Sequence, residues 1–242
     1  MAAIIKLENV TKMFGGLRAV GDFCGEVEEG AIVGLIGPNG AGKTTLFNMM
    51  ACSFPPTSGK ITFMGEDVTN AKPSDMAKKG LARTFQVTRP FENMTILENI
   101  MVGSFLKIKD RKEAIKHAES VYEMIGMTCG KDMPAQDSTT VDRKKLEMAR
   151  AFATQPKLLL LDESMAGCNP LEKLELVEVS RRIRDTGVTI LIIEHDMKTI
   201  MSMCEKIYVL HRGEKLTEGT AHEVANDKRA ISAYLGEDFA NA

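Results

Sequence analysis

The stretch Gly37-Pro38-Asn39-Gly40-Ala41-Gly42-Lys43-Thr44-Thr45 matches G-x-x-x-x-G-K-S/T in full, and its chemistry is that of a phosphate cradle. Glycines let backbone N–H groups close around phosphate oxygens, and the N-terminus of a following helix adds a positive dipole. Lys43 can reach the β and γ phosphates and Thr44 can offer a hydroxyl to Mg²⁺. The apolar run ending at Ile36 and the helix-compatible run Leu46 to Met50 supply the flanking strand and helix that this mechanism requires. A second constellation, Leu158-Leu159-Leu160-Leu161-Asp162-Glu163, reads as a buried strand ending in two carboxylates. Alternation along a strand sends their side chains different ways. Asp162 is then placed to join a Mg²⁺ shell and Glu163 to orient or deprotonate an attacking water, a division suited to phosphoryl transfer. A strand end capped by solvated acids would read the same in isolation; the phosphate loop decides for the site.

Gly and Pro punctuate short apolar runs and amphipathic stretches throughout, an α/β rhythm. The expected strands are Ile4 to Val10, Ala31 to Ile36, Lys60 to Phe63, Leu81 to Phe85, Leu158 to Leu161, Thr189 to Ile193, Ile207 to Leu210 and Glu214 to Glu218. Several are continuous and apolar, as in strands buried on both faces. Helix starts are expected at Thr95 with Glu98, Asp110 with Glu113 and Thr220 with Glu223, each an oxygen acceptor three residues before a carboxylate. Asn169-Pro170 supplies a cap and a first helical residue, and Gly187 closes that helix after Thr186. Helical signals dominate from about Val87 to Thr154, which predicts a helical subdomain inserted into a strand-rich core.

Length and composition bound the reading. At 242 residues the chain fits one large α/β domain or two small ones. With 31 Lys+Arg against 33 Asp+Glu, no global basic field exists to hold a nucleic-acid backbone. Five scattered cysteines without a C-x-x-C pair leave a zinc ribbon or redox pair unsupported and suggest a reducing cytosol. Met1 to Val10 lacks the pattern of a signal peptide, so export is not expected. The longest apolar runs fall far short of the ~20 residues that cross a bilayer, so membrane contact is expected through a partner.

In order, GPNGAGKTT, Gln86 in ARTFQ, LEMARA before LLLLDE, and His195 in IIEHD resemble the ATP-binding subunits of ABC transporters. FGGLRAV, GLARTFQVTRPFENMTILENIMVG, AGCNP and the ending GT-x-x-EV…AYLGE are similar to the branched-chain amino acid uptake group. The resemblance covers nearly the whole chain. It implies a P-loop NTPase of the ABC ATPase type over residues 1–242, with a RecA-like core (1–86 and 155–242), an antiparallel β-subdomain and an inserted helical subdomain (87–154). It also implies ATP and Mg²⁺ as cofactors, with Phe14 stacking on adenine, although a core Phe at a strand end would look the same. Gln86 would sense Mg²⁺ and the water while linking the site to the membrane partner, and His195 would contact the γ-phosphate. The implied metal set is Thr44, Gln86 and Asp162. The implied partners are membrane permease subunits gripped through the Gln86 to Gly103 region, including Arg89-Pro90-Phe91, and, indirectly, a solute-binding protein. Nucleic acid is not among them. The implied place is cytoplasmic, peripheral on the inner face of the cell membrane.

The family works as a head-to-tail dimer in which one chain's phosphate loop faces the other's signature, usually LSGGQ. Anchored on LEMARA, the corresponding residues here are Ser138, Thr139, Thr140, Val141 and Asp142. Thr139 keeps a hydroxyl where the family has Ser; both glycines are gone and Asp replaces Gln. Val141 adds bulk where backbone should meet the γ-phosphate. Asp142 either brings a like charge to a polyanion, which costs on the order of 4 kcal/mol at about 4 Å and an effective dielectric of ~20, or merely complements a helix dipole. Ser164 and Cys168 also depart from the usual residues. The expectation is a sound ATP-holding half and a damaged contribution to the neighbour's site, favouring a heterodimer with a second ATPase subunit over a homodimer and leaving the isolated chain with weak activity. The alternatives are a soluble ABC-type ATPase that moves no solute and a regulatory nucleotide-binding subunit.

Overall fold

The computed structural model describes residues 2–84 and 90–235. In chain order the elements begin with strands β1 (Ala3–Phe14), β2 (Leu17–Glu28) and β3 (Ile32–Ile36), then helix α1 (Lys43–Met50). Next come β4 (Ser58–Phe63), β5 (Glu66–Asp67), α2 (Pro73–Lys79) and β6 (Leu81–Arg83). Helices α3 (Ile96–Ser104), α4 (Arg111–Ile125) and α5 (Thr140–Phe152) follow, with a 3-10 turn at Ala135–Asp137 before α5. Then come β7 (Leu158–Asp162), α6 (Pro170–Asp185), β8 (Thr189–Ile193), α7 (Met197–Met203), β9 (Lys206–His211), β10 (Glu214–Gly219), α8 (Ala221–Asn226) and α9 (Lys228–Leu235). They divide into two compact units, Met1–Met76 with Thr189–Ala242, and Ala77–Val188.

The first unit holds an antiparallel sheet in the order β2-β1-β4-β5. It also holds β3 flanked in parallel by β8 and β9, with β10 antiparallel to β9. All five residues of β3 and of β8 are buried, as expected of apolar runs covered on both faces. β2 was not among the expected strands. Gly21, Gly25 and three acidic residues interrupt its apolar pattern, yet Val20, Phe23 and Val27 are buried and pairing with β1 through several register shifts completes it.

In the second unit β6 and β7 pair in parallel, with Arg83 opposite Leu160. Every described element from Ile96 to Phe152 is helical, and α3, α4 and α5 each start at a side-chain cap. Thr95 and Glu98 form a full capping box, and the Asp110 carboxylate accepts from the Glu113 amide. Asn169 and Glu172 box the start of α6, with Pro170 as its first residue. Side-chain oxygens at these positions satisfy amides that the helix itself leaves unpaired.

Candidate nucleotide site

The phosphate loop leaves β3 at Gly37 and enters α1 at Lys43. Two glycines are sterically required. A Cβ on Gly37 would lie 2.2 Å from the Leu210 carbonyl oxygen, and one on Gly42, whose φ is +101°, would lie 2.5 Å from that of Ala19. Each close approach threads the loop past neighbouring backbone where only glycine fits. Gly42 stands at the N-cap of α1 with no side-chain cap, and no acidic residue occupies the first turn. The positive end of that helix therefore faces the loop undiluted. The buried Lys43 ammonium donates to the carbonyls of Gly37 at 2.7 Å and Pro38 at 3.1 Å, so it is held over the loop it would share with a phosphate. Asn39, Gly40 and Thr44 are exposed, Pro38 and Thr45 are half-buried, and Ala41 is buried.

Two further expected residues lie in the same unit. Phe14 ends β1 and is 47% exposed, which removes the core-residue reading. Its ring meets Phe54 edge-on at 5.5 Å, and the Lys12 ammonium sits 5.3 Å from its centroid. His195 is exposed two residues beyond β8, just before Asp196, whose carboxylate caps α7 by accepting from the amides of Lys198 and Thr199.

The second unit carries the acidic pair. Asp162 closes β7 only 3% exposed, its Oδ2 accepting from an Arg83 NH2 group at 2.7 Å. Its amide donates to the Thr84 hydroxyl. Glu163 is half-buried and takes a φ of +48°, a left-handed conformation that is uncommon outside glycine and clusters at functional sites. Ser164 and Cys168 are both buried. Gln86 and Arg89 lie outside the described residues. Phe91 is exposed with the Arg150 guanidinium 4.6 Å from its ring centroid, and Val102, Phe105 and Leu106 add further exposed apolar side chains.

The signature stretch forms the start of α5. Thr139 is the N-cap, its hydroxyl accepting from the Asp142 amide at 3.2 Å and donating to Asp142 Oδ2 at 2.6 Å. Asp142 is 5% exposed, and its charge helps to raise the pKa values of Tyr122 and Cys129, both raised first by burial. The carboxylate thus turns into its own unit and serves the helix start, the second of the two roles open to it. Ser138 is tied down as well, donating to the Ala135 carbonyl at 2.5 Å.

Each in its own unit, the Thr44 hydroxyl and the Asp162 carboxylate carry hard oxygen donors of the kind Mg²⁺ takes, and in this structure Arg83 supplies the positive charge beside the buried Asp162. Sequence reasoning passed over Arg83 although it lies within ARTFQ. A basic residue at the end of one short strand, with an acid at the end of another, was the signal available.

A strand, a glycine-bound phosphate loop with its lysine, and a helix N-terminus, together with a strand-end acidic pair, define a P-loop nucleotide-binding ATPase. The chain matches the model of the ABC transporter family over residues 21–166, and a branched-chain amino acid ATP-binding cassette transporter model over residues 214–240. It is 38% identical to the high-affinity branched-chain amino acid transport ATP-binding protein LivG of Salmonella typhimurium, over 97% of this chain and 98% of that one. The related protein BraF of Pseudomonas aeruginosa is 36% identical with the same coverage. An ATP-binding cassette of an ABC transporter in its ADP conformation superposes with a TM-score of 0.88 at 28% identity, covering 98% of this chain and all of that one. The chain belongs to the ABC transporter family, as an ATP-binding and ATP-hydrolysing subunit.

Proposed function

We propose that this subunit drives an importer of branched-chain amino acids or related small solutes, bound peripherally to permease subunits on the inner face of the cell membrane. The observation that carries the reading is similarity to LivG and BraF over 97% of the chain, joined to a phosphate loop whose lysine and glycines are held for phosphate. The wholly helical run of described elements from Ile96 to Phe152 supports 87–154 as the helical subdomain of one ATPase domain. The exposed Phe91, Val102, Phe105 and Leu106 support a permease contact there.

Backbone amides between Gly37 and Thr45, Pro38 excepted, and the Lys43 ammonium bind the β and γ phosphates of ATP, and Phe14 stacks on the adenine. Thr44, Gln86 and Asp162 would hold Mg²⁺, which would neutralise phosphate charge. Glu163 takes a proton from the attacking water, whose oxygen bonds the γ-phosphorus while His195 contacts the γ-phosphate, and the phosphorus–oxygen bond to ADP breaks, leaving ADP and inorganic phosphate. Thr139 is the one hydroxyl the signature still offers across a dimer. Its engagement by Asp142, with the loss of both glycines, supports pairing with a second ATPase subunit bearing an intact signature.

The test is co-expression with candidate permease subunits and a second ATPase, followed by reconstitution in vesicles with a solute-binding protein. ATP hydrolysis stimulated by leucine, isoleucine or valine is expected from the heteromeric complex and little from this chain alone. Recovery of ribosomes or DNA without any permease would overturn the reading, as would brisk hydrolysis by the isolated chain unaffected by Val141→Gly for the heterodimer.

A further inference from the structure

Asp162 is almost wholly removed from water, and a buried carboxylate without a cation is costly. The fold supplies one by strand register. In the parallel pair β6 and β7, Arg83 stands opposite Leu160, and Leu160 and Asp162, two residues apart, share a face of their strand. The guanidinium therefore needs to reach only one pleat along to meet Oδ2, which it does at 2.7 Å. The Arg83 side chain is itself mostly buried, at 13% exposed. This contact occupies one of the two carboxylate oxygens open to a divalent cation.

Resting on the reading that Asp162 serves the metal, we propose that Arg83 is a built-in competitor for the cation: a positioning residue that neutralises Asp162 while Mg²⁺ is absent and yields Oδ2 when the metal arrives with nucleotide. An arginine suits this work because its planar guanidinium presents donors in a fixed geometry to a carboxylate. Two effects act in the same direction. The metal must displace a charge-assisted hydrogen bond, and it must approach a carboxylate beside a fixed positive charge. Both weaken metal affinity, so cation loading depends on the phosphates that come with it. A residue that merely shaped Asp162 for the metal would strengthen affinity instead, which separates the two roles by sign.

The experiment titrates Mn²⁺ into the full-length chain holding ADP, reading free Mn²⁺ by electron paramagnetic resonance, for the wild type, Arg83→Gln, Arg83→Lys and Asp162→Asn. Arg83→Gln is expected to bind Mn²⁺ about tenfold more tightly and to melt earlier than wild type in chelator, with most of that deficit recovered on adding Mn²⁺. Arg83→Lys preserves a charge and guards against a variant that fails to fold; its shorter reach and single-point contact give a smaller tightening of the same sign. Weaker or unchanged Mn²⁺ binding in the two Arg83 variants, with affinity lost in Asp162→Asn, would overturn the role of Arg83 and leave the metal reading standing. Undiminished Mn²⁺ affinity in Asp162→Asn would overturn the metal reading and the proposal with it.

Discussion

The Thr139 hydroxyl and the Asp142 carboxylate close on each other at 2.6 Å, with the Asp142 amide donating back to the hydroxyl at 3.2 Å. This is the N-terminal lock of α5, and it occupies the residue that corresponds to the signature serine of the family. The arrangement makes the altered signature a well-formed helix start. Removing a capping hydroxyl typically costs about 1 kcal/mol, so Thr139→Ala should lower denaturant stability by roughly that amount while Thr139→Ser keeps it. An unchanged unfolding midpoint in Thr139→Ala would show that the cap contributes nothing.

Lys43 rests on two loop carbonyls, a position from which it reaches a phosphate by sharing those bonds. A hydrogen bond to a charged group contributes about 1.5–3 kcal/mol, so Lys43→Ala should weaken nucleotide binding by about tenfold to a hundredfold. Titration with a fluorescent ADP analogue measures this. Equal affinity in the variant would remove the lysine from the site.

The loop glycines separate by what surrounds them. Gly40, at φ +79°, has open space where a Cβ would go, whereas the Cβ of an alanine at Gly42 would press on the Ala19 carbonyl oxygen. Gly40→Ala should cost only the left-handed backbone penalty of about 1–2 kcal/mol. Gly42→Ala should add a further ~1–3 kcal/mol of overpacking. Chemical denaturation of the two variants side by side gives the difference, and equal losses would contradict the close approach.

Much of this site was legible because its chemistry is contiguous. The phosphate loop occupies nine consecutive residues, and the caps at Thr95, Asp110, Asn169 and Thr220 act within three residues of themselves. What escaped depends on distant partners. β2 exists through pairing with β1 despite its glycines and acids, and the contact of Arg83 with Asp162 joins residues 79 apart in the chain. The direction of Asp142 was likewise open in the sequence, since a first-turn carboxylate can face its own helix start or a ligand. The hydroxyl of Thr139 and the nearby Tyr122 and Cys129 fix it.

Glu163 combines an expected catalytic role with strained backbone, φ +48°. Strain of this kind costs of order 1–3 kcal/mol and persists where function requires it. Glu163→Gln should abolish most ATP hydrolysis by the assembled complex while retaining ATP binding. Glu163→Gly should do the same to hydrolysis without lowering the melting midpoint, because glycine adopts this conformation freely. Turnover assays paired with thermal unfolding check both, and a clear loss of stability in Glu163→Gly would refute the strain argument.

His117 ties the helical region to pH. Its Nδ1 lies 2.8 Å from the Ser104 hydroxyl and its Nε2 3.4 Å from the Gln155 side-chain nitrogen, and burial holds its pKa below the usual 6.5. The unfolded chain therefore takes up a proton at higher pH than the folded one. Where the unfolded state binds more protons, stability rises with pH. The contribution of a neutral His117 is fully present above about 6.5 and declines as pH falls through that value toward the lower folded one. Wild-type stability should thus drop more between pH 7.5 and 5.5 than that of His117→Gln, whose side chain does not titrate. Denaturant midpoints across that range provide the comparison. Parallel profiles for the two proteins would mean that the buried imidazole does not supply the dependence, since the difference between them isolates one proton-binding group from every other histidine in the chain.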